Sequence, residues 1–334
     1  MKSAHHMNLS AVLATLLLTV AATTLAQVPG AVDTVDKAQQ RRKADATAQS
    51  TQATASAPEL FPGELDDLGP QALLQVKPRK THFEAVADVQ YLWTDNVLQT
   101  EQFKEDTTVL VSTVQFALAP DPYQLGCGEF SPRLGVRYQW YNYGLETDRP
   151  FDLLDFNART IFVDGQFRLK CDVVLEAGLE ATQLLDTDNH DDFYSELAPR
   201  WGIAWQPELC AAARLSVGYT GVYHASETPF LFFTDMNDRL DHIMHASLVI
   251  QCCRNFVAQP YYRFKATQYR ENPSTGEGLS ENLHSVGIGL HYFFTRWCSV
   301  RAFVNYDLQE SDDLLVPNYR QLDAGGGLNF TLRF

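Results

Sequence analysis

Beyond its first 26 residues this chain has no apolar run long enough to cross a bilayer as a helix, which would need roughly 18 residues or more. The longest loop-like apolar cluster, Phe230-Leu231-Phe232-Phe233, is far too short. Basic residues are also scarce, 26 Lys and Arg against 41 Asp and Glu, for a formal net charge of -15. Phosphate backbones are held by clustered cations, so a nucleic-acid partner is excluded. The six cysteines include no Cys-x-x-Cys and have no nearby histidine companion, which argues against a zinc-type metal site. No cofactor is expected.

The N-terminus carries Lys2, an apolar stretch from Leu9 to Ala22, and Thr24-Leu25-Ala26 before Gln27. A short positive region, an apolar stretch and a small-residue site make residues 1–26 a cleaved secretory signal. Residues 27–80 read as a periplasmic segment. Up to about residue 57 they are Ala, Thr, Gln, Ser and charge with almost no aromatics, and such a stretch is expected to stay disordered. Between 58 and 80, Leu60, Phe61, Leu65, Leu68, Leu73 and Leu74 punctuate acidic, Pro and Gly positions, so this part is either a linker or a docking plug.

From Thr81 to Phe334 the chain alternates with period two, the repeat at which successive side chains face opposite sides of a sheet. In the final segment Leu322, Ala324, Gly326, Leu328, Phe330, Leu332 and Phe334 interleave with Asp323, Gly325, Gly327, Asn329, Thr331 and Arg333. Twelve such segments are predicted, at 82–94, 107–119, 132–143, 155–169, 172–184, 193–206, 211–225, 239–251, 256–269, 282–294, 298–309 and 319–334. Their length matches a tilted strand crossing a bilayer, and one face is charged and Gly-rich throughout. The fold class is therefore all-β, an antiparallel up-and-down transmembrane barrel over residues 81–334. Pro199 and Pro260 fall inside segments, on the apolar face. The connections that follow even-numbered segments are mostly shorter and the others longer, as periplasmic turns and outer loops are when both barrel ends are periplasmic. Trp93, Trp140, Tyr223 and Tyr306 then mark the outer interface, and Phe83, Phe167, Trp205, Tyr292 and Phe334 the periplasmic one.

The terminal Leu328-Asn329-Phe330-Thr331-Leu332-Arg333-Phe334 resembles the C-terminal signal of bacterial outer-membrane barrels. The resemblance implies an outer-membrane location, with Phe330, Leu332 and Phe334 read by the barrel-assembly machinery. The stretch Asp88 to Val97 resembles the first strand and loop of porin-like barrels of uncharacterised bacteria. That resemblance carries no substrate; the barrel architecture as a whole is read as a passive pore for small hydrophilic solutes, in contact with outer-membrane lipid and lipopolysaccharide. A non-conducting structural or surface-interaction barrel and a polysaccharide export channel stand as alternatives.

On the polar face, Glu84, Asp88, Arg137, Asp164, Glu176, Glu180, Arg200, Arg214, Arg263, Lys265, Arg301 and Asp323 are candidate pore-lining residues. In a ring of twelve, Glu176 and Glu180 would stand across from Arg301, and Glu84 and Asp88 across from Arg214. The charges either set up a transverse field or pair along the wall. Cys127, Cys171, Cys210, Cys252, Cys253 and Cys298 each fall in or beside a periplasmic turn and are candidate disulfides in an oxidising compartment, free thiols being the alternative. The acidic loop Asp186 to Asp192 begins like a calcium loop, but Asp191 replaces its turn glycine and Leu197 its closing Glu, so it reads as solvated charge. His245 and Ser247 share the lumen face while His284 and Ser285 point to opposite faces, so no catalytic constellation is expected.

This facing predicts that Leu179→Arg, a cation set against lipid, impairs barrel insertion by about 2–4 kcal/mol. Glu180→Arg is expected to change only the lumen. Folding yields of the two variants into lipid vesicles test the assignment; equal yields would mean that the faces are misassigned.

Overall fold

The computed structural model describes residues 30–44, 46–48, 83–101, 104–145, 151, 154–188, 190–227, 238–270, 279–311 and 318–334. The signal peptide, the segment 58–80, the Phe230 to Phe233 loop and residue 189 of the calcium-like loop lie outside the described residues.

Twelve long strands form one antiparallel sheet: β1 Phe83–Thr94, β2 Thr107–Leu118, β3 Gly128–Tyr143, β4 Phe156–Leu169, β5 Val173–Asp186, β6 Asp192–Trp205, β7 Ala213–Glu227, β8 Arg239–Cys253, β9 Phe256–Tyr269, β10 Ser280–Phe293, β11 Cys298–Ser311 and β12 Tyr319–Arg333. Each pairs with its neighbour in sequence, and β12 returns to β1 with Glu84 opposite Arg333 and Thr94 opposite Asp323. Backbone bonds from Phe83 N to Phe334 O (2.9 Å) and from Phe334 N to Phe83 O (3.0 Å) complete the seam. No edge is left open, as hydrocarbon requires, because an unpaired backbone amide there has no water to bond.

The predicted segments agree with these strands to within a few residues. The largest difference is at β3, which begins at Gly128 rather than 132. Pro132 suggests a boundary, but β3 pairs with β4 down to Gly128 and with a short strand at Tyr123–Leu125, and its ladder with β2 starts only at Leu134. The other two prolines leave a different mark. Residues 198 and 199 have no partner in the β6–β7 ladder, and residues 259 and 260 none in the β8–β9 ladder. A proline has no N–H to give, and each lies on the outer face as expected.

That outer face is apolar. Leu134, Val136, Ile161, Val163, Leu179, Ile203, Val217, Met244, Val286, Ile288 and Val304 are exposed on it. Trp93, Trp140, Tyr223 and Tyr306 are exposed at one end, and Phe83, Trp205, Tyr292 and Phe334 at the other. A water-exposed apolar belt of this size would be untenable, so the belt is the lipid contact.

Two inward glycines let long side chains cross a strand. A Cβ on Gly327 would lie 2.8 Å from the Val89 carbonyl oxygen and 3.0 Å from Arg301 Nη2, where Arg301 passes over β12 toward β1. A Cβ on Gly178 would lie 2.9 Å from Arg200 Nε, where Arg200 passes over β5 toward β4. Gly327→Val is expected to destabilise the barrel by about 1–3 kcal/mol through overpacking. Leu328→Ile, on the lipid side, should be near neutral, and urea unfolding of both variants in vesicles checks the order.

Candidate functional site

Disorder is the expectation for residues 27–57; of these the described residues 30–44 and 46–48 are helical, together called α1, and lie inside the barrel. The compositional argument fails because it asks whether the segment can bury apolar surface by itself, whereas here the wall supplies the partner.

Successive helical residues turn by about 100°, so Ala31, Val32, Val35 and Ala38 share one side and Asp33, Lys37, Gln40 and Arg41 the other. The lumen has two matching sides. Leu92, Val109, Val111, Tyr141, Tyr143, Phe156, Ala158, Leu184 and Tyr194, on β1 to β6, form one buried cluster with the apolar side of α1. Where α1 meets β9 to β12 the contacts are mainly polar, although Phe303 of β11 belongs to the apolar cluster. There Lys37 Nζ pairs with Asp307 at 2.8 Å and donates to Gln321 at 2.9 Å, and Arg41 pairs with Asp323 at 2.8 Å. Arg263 donates to Gln40, and Lys265 lies 3.6 Å from Asp33. Arg41 also stacks 4.4 Å above the Phe303 ring, a cation–π contact. Within α1, Asp33 and Lys37 pair at 2.9 Å. Arg42, which faces the other way, donates to Gln115 of β2 at 3.0 Å.

The candidate pore-lining residues all lie on the inner face. Of the two alternatives, pairing along the wall is the one seen for most of them, with Arg263, Lys265 and Asp323 meeting α1 instead. Asp88 accepts a two-pronged bond from Arg301 at 2.8 and 3.0 Å. Glu180 sits between Arg137 (2.9 Å) and Arg200 (2.6 Å), and Asp164 between Arg133 (3.0 Å) and Arg200 (3.3 Å). Glu84 holds Arg333 at 2.9 Å, Glu176 accepts from Thr220 at 3.2 Å, and Arg214 turns to Glu208 of a periplasmic turn at 2.5 Å. Neighbouring strands are ~4.8 Å apart, so a guanidinium reaches one or two strands along the wall more easily than across the lumen. Near the outer end, His224 joins Glu196 at 2.9 Å and Asp241 at 3.4 Å, with Arg239 beside both carboxylates.

Lys37, Arg41 and Arg42 were missed by the sequence reading. The spacing of Ala31, Val35 and Ala38 carries the helical signal, and its small residues make that signal faint. The six cysteines lie at the periplasmic rim as expected, but the structure joins none of them: all are free thiols, five exposed and Cys298 half-buried. Turns two strand spacings apart exceed the ~4.4–6.8 Å Cα separation that a disulfide spans. His284 faces lipid, with its Nδ1 2.8 Å from the Tyr262 hydroxyl, whereas Ser285 is buried in the lumen.

No protein-family model matches the chain, and no curated protein matches it. Among solved structures it is similar to an outer-membrane channel of Pseudomonas putida F1, at 11% identity and TM-score 0.49, covering 82% of this chain and 100% of that one. It is similar also to the β domain of the Bordetella autotransporter BrkA (13% identity, TM-score 0.42, covering 75% and 100%) and to the NanC porin (12%, 0.40, 74% and 100%). A closed twelve-stranded ring with an apolar outside and a charged inside makes this chain an outer-membrane β-barrel. A helix of its own lies in the lumen.

The geometry revises one expectation. Glu180→Arg is not neutral, because it replaces the anion between Arg137 and Arg200 with a third cation. Leaving those buried guanidiniums uncompensated is expected to cost about 3–5 kcal/mol. Urea unfolding in vesicles should show a loss at least as large as that of Leu179→Arg, so equal yields of the two variants no longer speak against the facing, and a wild-type midpoint would contradict the pairing.

Proposed function

We propose that this barrel is an outer-membrane channel for small hydrophilic solutes whose pore is closed by α1. The observation that carries the reading is the match between a two-sided helix and a two-sided lumen. A permanent plug would be served by apolar packing alone. Here part of the contact is ion pairs with Asp307, Asp323 and Lys265, groups that water solvates once the helix leaves them. With α1 seated, the side chains of Asp307 and Asp323 are almost wholly buried, so solute passage requires the helix to move. The charged wall left behind would suit hydrated solutes.

A second reading, a non-conducting structural barrel, is favoured by the apolar cluster that anchors α1 on β1 to β6. For assembly, the outward exposure of Phe330, Leu332 and Phe334 on the closing strand supports their reading as the signal for the barrel-assembly machinery.

Planar-bilayer recordings of the whole protein and of a variant lacking residues 30–48 separate the two readings. The whole protein is expected to stay mostly closed. The deletion should open steady conductance with weak charge selectivity, since cations and anions on the wall nearly balance. A variant that folds, as judged by heat-modifiable migration, yet does not conduct would hand the case to the structural reading.

A further inference from the structure

The contacts of α1 also fix its direction. At its start, Asp33 accepts from Gln99 at 3.0 Å, in the connection between β1 and β2, and Thr34 meets the Tyr143 hydroxyl at 3.4 Å, at the last residue of β3. The apolar residues that flank this part of the cluster, Val97, Phe151, Leu154 and Phe193, come from the β1–β2 and β3–β4 connections and the first turn of β6. These are the ends of the strands with long connections. One turn further on, Lys37 reaches Asp307 and Gln321, in the same half of β11 and β12. Gln40 and Arg41 meet Arg263 and Phe303 near mid-strand, and Arg41 also meets Asp323 in the outer third of β12. Arg42 reaches Gln115, toward the far end of β2. Ala48 packs with Val249, Val257 and Phe293, at the opposite rim, beside the short turns. The order along the helix is the order down the lumen, without a reversal. At ~1.5 Å per residue α1 covers roughly 28 Å, about the height of the ~25 Å apolar band.

We infer that α1 threads the whole pore with its N-terminal end at the outer mouth, so that the barrel carries its own N-terminal end across the membrane and displays it on the cell surface. The mostly longer connections mark the outside and the mostly shorter ones the periplasm, the β2–β3 connection being an exception, and this gives the sense. A plug entering from the periplasm and folding back would place both ends of its helix at the lower rim. Here only the C-terminal end is there, on the side from which β1 starts at Phe83. Gly30 is half-buried at the mouth, and a Cβ on it would meet nothing nearer than Gln99 Oε1 at 3.8 Å, so a side chain fits there without moving the wall. The native thiols, by contrast, all lie at the periplasmic rim.

The inference rests on α1 being seated in the lumen and is independent of whether the pore conducts. The test is Gly30→Cys in the full chain, treated on intact cells with a polyethylene-glycol maleimide too large to pass the outer membrane. The variant is expected to take up the label on intact cells. The wild type, whose six thiols face the periplasm, should take it up only after permeabilisation. Heat-modifiable migration verifies that both barrels are folded. Overturning results are a folded Gly30→Cys protein labelled no more than wild type on intact cells, or a wild type labelled equally well there. Conductance is unaffected by either outcome, so a failure of the channel reading and a failure of the threading are told apart.

Discussion

A ring of strands in hydrocarbon has no freedom about its backbone, and this constraint fixes most of what the rest of the chain must do. Every N–H and C=O has to find its partner within the wall, which closes β12 on β1 and sends every second side chain inward. The outside can then be simple, a belt of aliphatic residues bounded by rings of Trp, Tyr and Phe. The inside cannot. It collects charges of both signs from twelve strands in a narrow space, and each has to be neutralised there. Arg301 with Asp88, and the alternating run Arg133, Asp164, Arg200, Glu180 and Arg137, are the result. The inward glycines belong to the same solution, because Gly178 and Gly327 leave room for a guanidinium to cross the strand that carries them.

The helix completes the neutralisation. Asp307 and Asp323 are wall carboxylates whose partners, Lys37 and Arg41, come from outside the sheet. On the opposite side the apolar inner residues of β1 to β6 would face water in an empty lumen, and Ala31, Val32, Val35 and Ala38 cover them. Lumen and helix are thus two halves of one interior, and neither satisfies its polar or apolar groups alone.

This division explains what could be read from the sequence. The strands were legible because a period of two, sustained for ten residues or more and repeated twelve times, has little competition. The inward set was legible for the same reason, since parity alone assigns Glu84, Asp164 or Lys265 to a face. Pairing was not, because it depends on which glycine opens a path and on how far a side chain reaches. The helix was missed because its apolar side is made of Ala and Val, too small to register as a stripe. Its burial becomes visible only when the inner face of β1 to β6 is known to be apolar at its outer end. The disulfides were expected from compartment and spacing along the chain. Distance around the rim, which the sequence does not carry, decides against bonds between neighbouring turns.

The two prolines in the wall have a mechanical consequence. The β6–β7 seam loses its bonding at residues 198 and 199, and the β8–β9 seam loses it at 259 and 260. Between those seams lies the hairpin of β7 and β8, whose own ladder runs unbroken from Ala213 opposite Ile250 to His224 opposite Arg239. The barrel is therefore not equally stiff around its circumference. One hairpin is continuous within itself and lacks paired residues at one level along each flank, so sideways strain on the cylinder meets fewer backbone bonds there.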